Sequence, residues 1–117
     1  MLDENITQRL AKLLPEHEVL TVSGLGWIGT KNGELLRRAC NVCDVFITRD
    51  RNLEFQQNIK ALPFGVIVLH AHSSDLSDLA PHVPSILTAI QRVTPGHVER
   101  VGEQKILFKE MNRERER

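Results

Sequence analysis

Gly65-Val66-Ile67-Val68-Leu69 constrains the fold more than any other segment. No residue in it carries a polar side chain, so neither face of a strand built from it can meet water. A strand covered on both faces is characteristic of a parallel sheet with connecting elements packed above and below. Val45-Phe46-Ile47, within Asp44 to Thr48, repeats the pattern in shorter form.

The rest of the chain alternates between helical and extended signals, with no internal repeat or low-complexity linker. Asn5 followed by Gln8 reads as a capping box. Ile6, Leu10, Leu13 and Leu14 then share a helical face that Pro15 closes. His17 to Val22 reads as a strand, and Ser23 to Thr30 as a loop with three glycines. Asn32 is placed to cap a second helix carrying Leu35, Leu36, Ala39, Cys40 and Cys43. A short helix is expected around Leu53 to Lys60. Apolar residues from Leu76 to Val93 then follow a helical period that Pro81 and Pro84 split into a turn and a helix. His97 to Val101 and Lys105 to Phe108 read as a terminal antiparallel hairpin. These elements predict an α/β/α three-layer sandwich around a mostly parallel sheet. Residues 1–110 form one domain in this reading, followed by a charged tail over 111–117.

Composition narrows the function classes. At 117 residues, 41% hydrophobic and 26% charged, the chain suits one globular domain with a real core. The first residues lack the basic start and apolar stretch of a signal peptide, and no apolar run is long enough for a bilayer. A cytoplasmic protein with no membrane role is the expectation. Fifteen basic and fifteen acidic residues cancel, which argues against a general coating of nucleic acid. Aromatic residues, at 4% with no Tyr, are too scarce for a base-stacking platform. The only cysteines, Cys40 and Cys43, suit a reducing compartment. They fall at a helix C-terminus among apolar neighbours, where they read as core packing rather than a redox pair. A zinc site joining them to His70 and His72 does not match the usual spacing.

Ligands of open parallel sheets gather beyond the carboxyl ends of the strands. Asp3 follows a very short first strand, Asp50 follows Val45 to Thr48, and Glu34 lies in the first turn of the second helix. Three carboxylates at one edge repel unless a cation joins them, and hard oxygen ligands select Mg²⁺ or Mn²⁺. Lys31, Arg37, Arg38, Arg49 and Arg51 flank these acids, as a phosphate-backbone substrate requires. The alternative is that the acids simply favour helix N-termini and the arginines are solvated. His70 and His72 fall at the same edge, where one could contact a phosphate.

Leu2-Asp3-Glu4-Asn5, then Gly26-Trp27-Ile28-Gly29 with Lys31 to Leu36, then Phe46-Ile47-Thr48-Arg49-Asp50-Arg51-Asn52-Leu53, resemble the short stand-alone PIN-like domain family. The resemblance covers roughly residues 1 to 92, and Pro81-His82-Val83-Pro84 is similar to one branch of the family. It implies a Mg²⁺- or Mn²⁺-dependent endoribonuclease, the toxin of a toxin–antitoxin pair, with RNA as substrate. A small antitoxin protein as partner and a homodimer belong to the same implication. Carried over by position, Asp3, Asp50 and Glu34 would be catalytic and metal-binding. Asn5, Asn32 and Thr48 would be supporting groups, and Lys31, Arg49 and Arg51 would meet the substrate phosphate. The chain departs from the family at Asn32, where many relatives carry an acid. The fourth acid of larger members has no clear match, Glu54 being a poor substitute.

Two other readings compete. A receiver-like signalling domain would use Asp3-Glu4, Asp50, Ser73 and Lys105, although no Pro follows that lysine. A catalytically silent PIN-like module would act only by binding a protein partner.

Overall fold

The computed structural model describes residues 1–102. It is a mixed α/β domain in which three strands, β1 (Val45–Thr48), β2 (Gly65–His70) and β3 (Val98–Gly102), pair in parallel in the order β1-β2-β3. The expected first strand is a stub. Leu2 bridges Thr21 on one side and Ile47 on the other, both in parallel. The Leu2 amide donates to the Leu20 carbonyl at 2.8 Å and the Asp3 amide to the Ile47 carbonyl at 2.9 Å. The chain therefore leaves Leu2 toward Thr21, then returns to lay β1 on the opposite side. This reversal is the switch point at which open α/β sheets leave a crevice.

Strand alternation explains the core. Phe46, Val66 and Val68 point to one face and pack with Leu35, Leu36 and Ala39 of helix α1 (Asn32–Ala39) and Leu53 of α2 (Leu53–Gln56). Ile47, Ile67 and Leu69 point to the other and pack with Leu2, Leu10, Leu79, Ile86 and Ala89. Leu79 ends α3 (Leu76–Leu79), and Ile86 and Ala89 belong to α4 (Val83–Arg92). All six residues of β2 are buried, as its uninterrupted apolar run requires. Each large side chain sealed here contributes about 1.5–3 kcal/mol.

Several local expectations are corrected. The first helix is a 3₁₀ segment, Gln8–Leu13, whose entry is capped by Thr7 rather than Asn5. His17 to Val22 makes no extended strand; only Thr21 bridges. The helix expected over Leu53 to Lys60 divides into α2 and a 3₁₀ turn at Ile59–Ala61. Asn32 does not cap α1, which starts at Asn32 with Lys31 in the cap position. The prolines split the last helical region as expected, with a 3₁₀ turn at Ala80–His82 between α3 and α4. Cys40 and Cys43 pack partly buried against the α1 side of the core. The expected hairpin partner, Lys105 to Phe108, lies outside the described residues, as does the tail. Among the described residues no helix is long and apolar enough to cross a membrane.

Candidate functional site

The carboxyl ends of the Leu2 stub and of β1 lie side by side, and their polar residues form one network. Thr48, fully buried at the end of β1, is its hub. The Thr48 hydroxyl donates to Asp3 Oδ2 at 2.7 Å. It accepts from the Asp50 amide at 3.0 Å and from Asn5 Nδ2 at 3.3 Å. Asn5 Oδ1 in turn accepts from the Arg49 amide at 3.1 Å. The side chains expected to cap helices are thus spent on long-range contacts. Asn32 follows the same logic, donating through Nδ2 to Asp50 Oδ2 at 3.1 Å. Asp50 Oδ1 accepts from the Asn52 amide at 2.9 Å, which fixes the turn into α2.

Asp3 is a buried carboxylate, 5% exposed. Burial pushes its pKa above the usual carboxylate range. The hydrogen bonds from Thr48 and from the Glu4 amide oppose the shift, while the charges of Glu4 and Asp50 add to it. An acid held against its ionised form by burial and by a neighbouring acid gains most from a bound cation.

Glu34, expected to complete the cluster, is not brought into it. Its carboxylate accepts from Arg38 Nε at 3.1 Å and pairs with Arg37. The Arg38 hydrogen bond chiefly holds its pKa below the usual range. The physical reason is spacing: arginines three and four positions further along one helix satisfy the acid where it stands. The same pairing commits Arg37 and Arg38 to Glu34, and Arg38 also lies 5.8 Å over the Trp27 ring. Of the cations expected to meet phosphate, Arg49 sits against Asn5 with its Nε buried and unpaired among the described residues. Arg51 and Lys31 are exposed.

Among the described residues no three His, Cys, Asp or Glu side chains are grouped to hold a metal ion. Among the described residues Cys40, Cys43, His70 and His72 are not grouped around a common point. Asp3 and Asp50 remain as a pair of hard oxygen donors. That set suits Mg²⁺, which commonly takes one or two carboxylates and fills its other positions with water and substrate phosphate.

Three features escaped sequence reasoning. Glu4 Oε1 accepts from the Gly29 amide at 3.1 Å, tying the glycine loop to this edge. Glu54 Oε1 accepts from Arg100 Nε at 3.0 Å. His70, expected at the rim, is buried at 4% exposure. Only the last had a signal in the sequence, its place at the polar end of the apolar β2 run. The hydroxyl of a receiver-like site is also committed elsewhere: Ser73 donates to Asp78 Oδ2 at 2.6 Å. No protein-family model, no curated protein and no solved structure gives a significant match to the chain.

Proposed function

We propose that this domain is a Mg²⁺- or Mn²⁺-dependent endoribonuclease built as a PIN-like three-layer sandwich, with Asp3 and Asp50 as its metal-binding carboxylates. The observation that carries the reading is the Thr48 hydroxyl, which joins the Asp3 carboxylate to the Asp50 backbone at the topological switch point. A buried threonine that donates to Asp3 and accepts from the Asp50 amide and Asn5 Nδ2 is fully satisfied, and holds two acids from distant segments in register.

Asp3 and Asp50 would hold the ion, whose chemistry is to activate a water and to stabilise the charge on the scissile phosphate. Thr48 fixes the direction of the Asp3 carboxylate. Asn32 and the Asn52 amide orient Asp50. Asn5 holds the β1 terminus in place through the Arg49 amide. Arg49 and the exposed Arg51 and Lys31, close in sequence to Asp50 and Asn32, would supply the positive charge that an RNA backbone needs. Glu34 stays with its own helix and takes no part. If the enzyme is the toxin of a pair, a small antitoxin protein would be its partner.

Metal-dependent cleavage of single-stranded RNA tests this reading. Activity with Mn²⁺ that disappears in Asp3→Asn and in Asp50→Asn supports it; cleavage retained in both variants removes it. A receiver-like reading has one observation in its favour, because the Thr21, Leu2, β1, β2, β3 order is the flavodoxin-like order that receivers share. Fold is not function. Phosphate uptake at Asp50 from acetyl phosphate would favour that reading over the nuclease.

A further inference from the structure

A second polar group lies farther along the same carboxyl edge, and the Asp3–Asp50 network does not use it. Val66 and Val68 face the α1–α2 side of the sheet, so His70 continues that face at the end of β2. In the parallel register Val68 stands opposite Arg100 and His70 opposite Gly102. Arg100 is anchored through Nε and Nη2, both to Glu54 Oε1, at 3.0 and 2.5 Å. Glu54 is nearly enclosed, whereas the Arg100 side chain is half exposed, so guanidinium donors remain for another partner. The His70 imidazole is buried, and neither ring nitrogen has a hydrogen-bond partner among the described residues.

Buried polar atoms left unpaired are uncommon and call for an explanation. The charges around the ring say what chemistry would satisfy it. Burial, then Arg51 and Arg100, hold the imidazole below its ordinary pKa, and Glu54 opposes them. A neutral imidazole offers one N–H donor and one acceptor. A metal cation would meet the uncompensated charge of Arg51. Glu54 already neutralises Arg100, and among the described residues Arg51 has no ion-pair partner. An anion with several acceptor oxygens satisfies the ring N–H and Arg51 together.

We propose that His70, Arg51 and Arg100 form a phosphate-binding position of the RNA track, one strand over from the Asp3–Asp50 pair. This rests on the ribonuclease reading for its choice of anion. Neighbouring strands lie about 4.8 Å apart, so an RNA laid across the strand ends passes from the carboxylates to His70 and on to Arg100. The ring nitrogens are covered, so contact with RNA requires the rim around His70 to open; Arg51 is exposed and unpaired among the described residues.

The test is binding of a fluorescently labelled single-stranded decanucleotide RNA in EDTA, where no metal-dependent cleavage occurs, across a NaCl series. Arg51→Ala and Arg100→Ala are each expected to weaken binding several-fold and to lower the salt slope by about 0.7, the single-strand value for one phosphate contact. Arg37→Ala removes the same charge from an exposed helix position and is expected to match wild type. His70→Gln is expected to weaken binding without changing the slope, and RNA is expected to shift the ¹⁵N signals of the His70 ring in wild type. Arg51→Ala and Arg100→Ala variants that behave like Arg37→Ala, with unmoved His70 signals, overturn the proposal. Mn²⁺-dependent cleavage measured in parallel separates the two readings. Cleavage by wild type with no arginine effect overturns only the phosphate position. Binding with the arginine effects but no cleavage overturns only the nuclease. Neither binding nor cleavage overturns both.

Discussion

The Thr48 hydroxyl donates to the Asp3 carboxylate at 2.7 Å across 45 positions of sequence. Because the same oxygen accepts from the Asp50 amide, the ends of two neighbouring chain segments are locked at the depth where both acids emerge. The acids cannot separate without breaking a fully buried contact.

Removing that hydroxyl tests the lock. Thr48→Val keeps the shape but leaves the Asp50 amide and Asn5 Nδ2 without their acceptor and Asp3 Oδ2 without its donor. The expected loss is about 1–3 kcal/mol, read as a lower urea midpoint, and Thr48→Ser should recover most of it. An unchanged midpoint in Thr48→Val would mean that the hydroxyl holds nothing together.

Asn32 stands at the start of α1, and its Nδ2 donates to Asp50 Oδ2. Asn32→Asp replaces that donor with a like charge. The variant is expected to melt a few degrees lower in EDTA, about 1 kcal/mol for a domain of this size. It should gain more than wild type on adding Mn²⁺, because a third carboxylate strengthens a hard-cation site. Calorimetry with and without Mn²⁺ reads both effects, and a variant as stable as wild type in EDTA would contradict the contact.

His70 sets a pH dependence. Its pKa lies below the ordinary value of 6.5, first through burial and then through Arg51 and Arg100. The unfolded chain therefore binds more protons at this residue, and the stability it contributes is present above pH 6.5. That stability is lost as pH falls from 6.5 through the lower folded value. Urea midpoints from pH 7.5 to 5 should fall more for wild type than for His70→Gln. Parallel curves would show that the ring titrates as it does in the unfolded chain.

Gly102 closes β3 against β2 with a φ of +123°, and a Cβ there would come within 2.1 Å of the His70 carbonyl oxygen. Gly102→Ala is expected to cost at least about 1 kcal/mol and to loosen the end of β2 that carries His70. Hydrogen exchange of the β2 amides reads the second effect directly. Unaltered protection there would show that β3 yields without disturbing its neighbour.

The sequence is informative where a pattern admits one physical solution. Gly65 to Leu69 has no face for water, so a buried strand follows; Val45 to Thr48 repeats the pattern, and Asp50 then falls just past a strand end. Asn5 and Asn32 show where this reasoning stops. Both occupy good capping positions, and local sequence cannot reveal that Thr48 and Asp50 compete for them from 43 and 18 positions away. Glu34 fails for the opposite reason, since Arg37 and Arg38 satisfy it locally before any distant group can. Arg100 of β3 and Glu54 of α2 meet across 46 positions, a relationship no spacing rule contains.

The most direct experiment is a Mn²⁺ titration of the melting temperature of wild type, Asp50→Asn and Glu34→Gln side by side. An ion held by Asp3 and Asp50 stabilises only the folded chain, by about 2.7 kcal/mol at a hundredfold excess over its dissociation constant. Wild type and Glu34→Gln are expected to shift upward together while Asp50→Asn stays flat. A wild type indifferent to Mn²⁺, or a shift that survives in Asp50→Asn, would contradict a metal site at this edge.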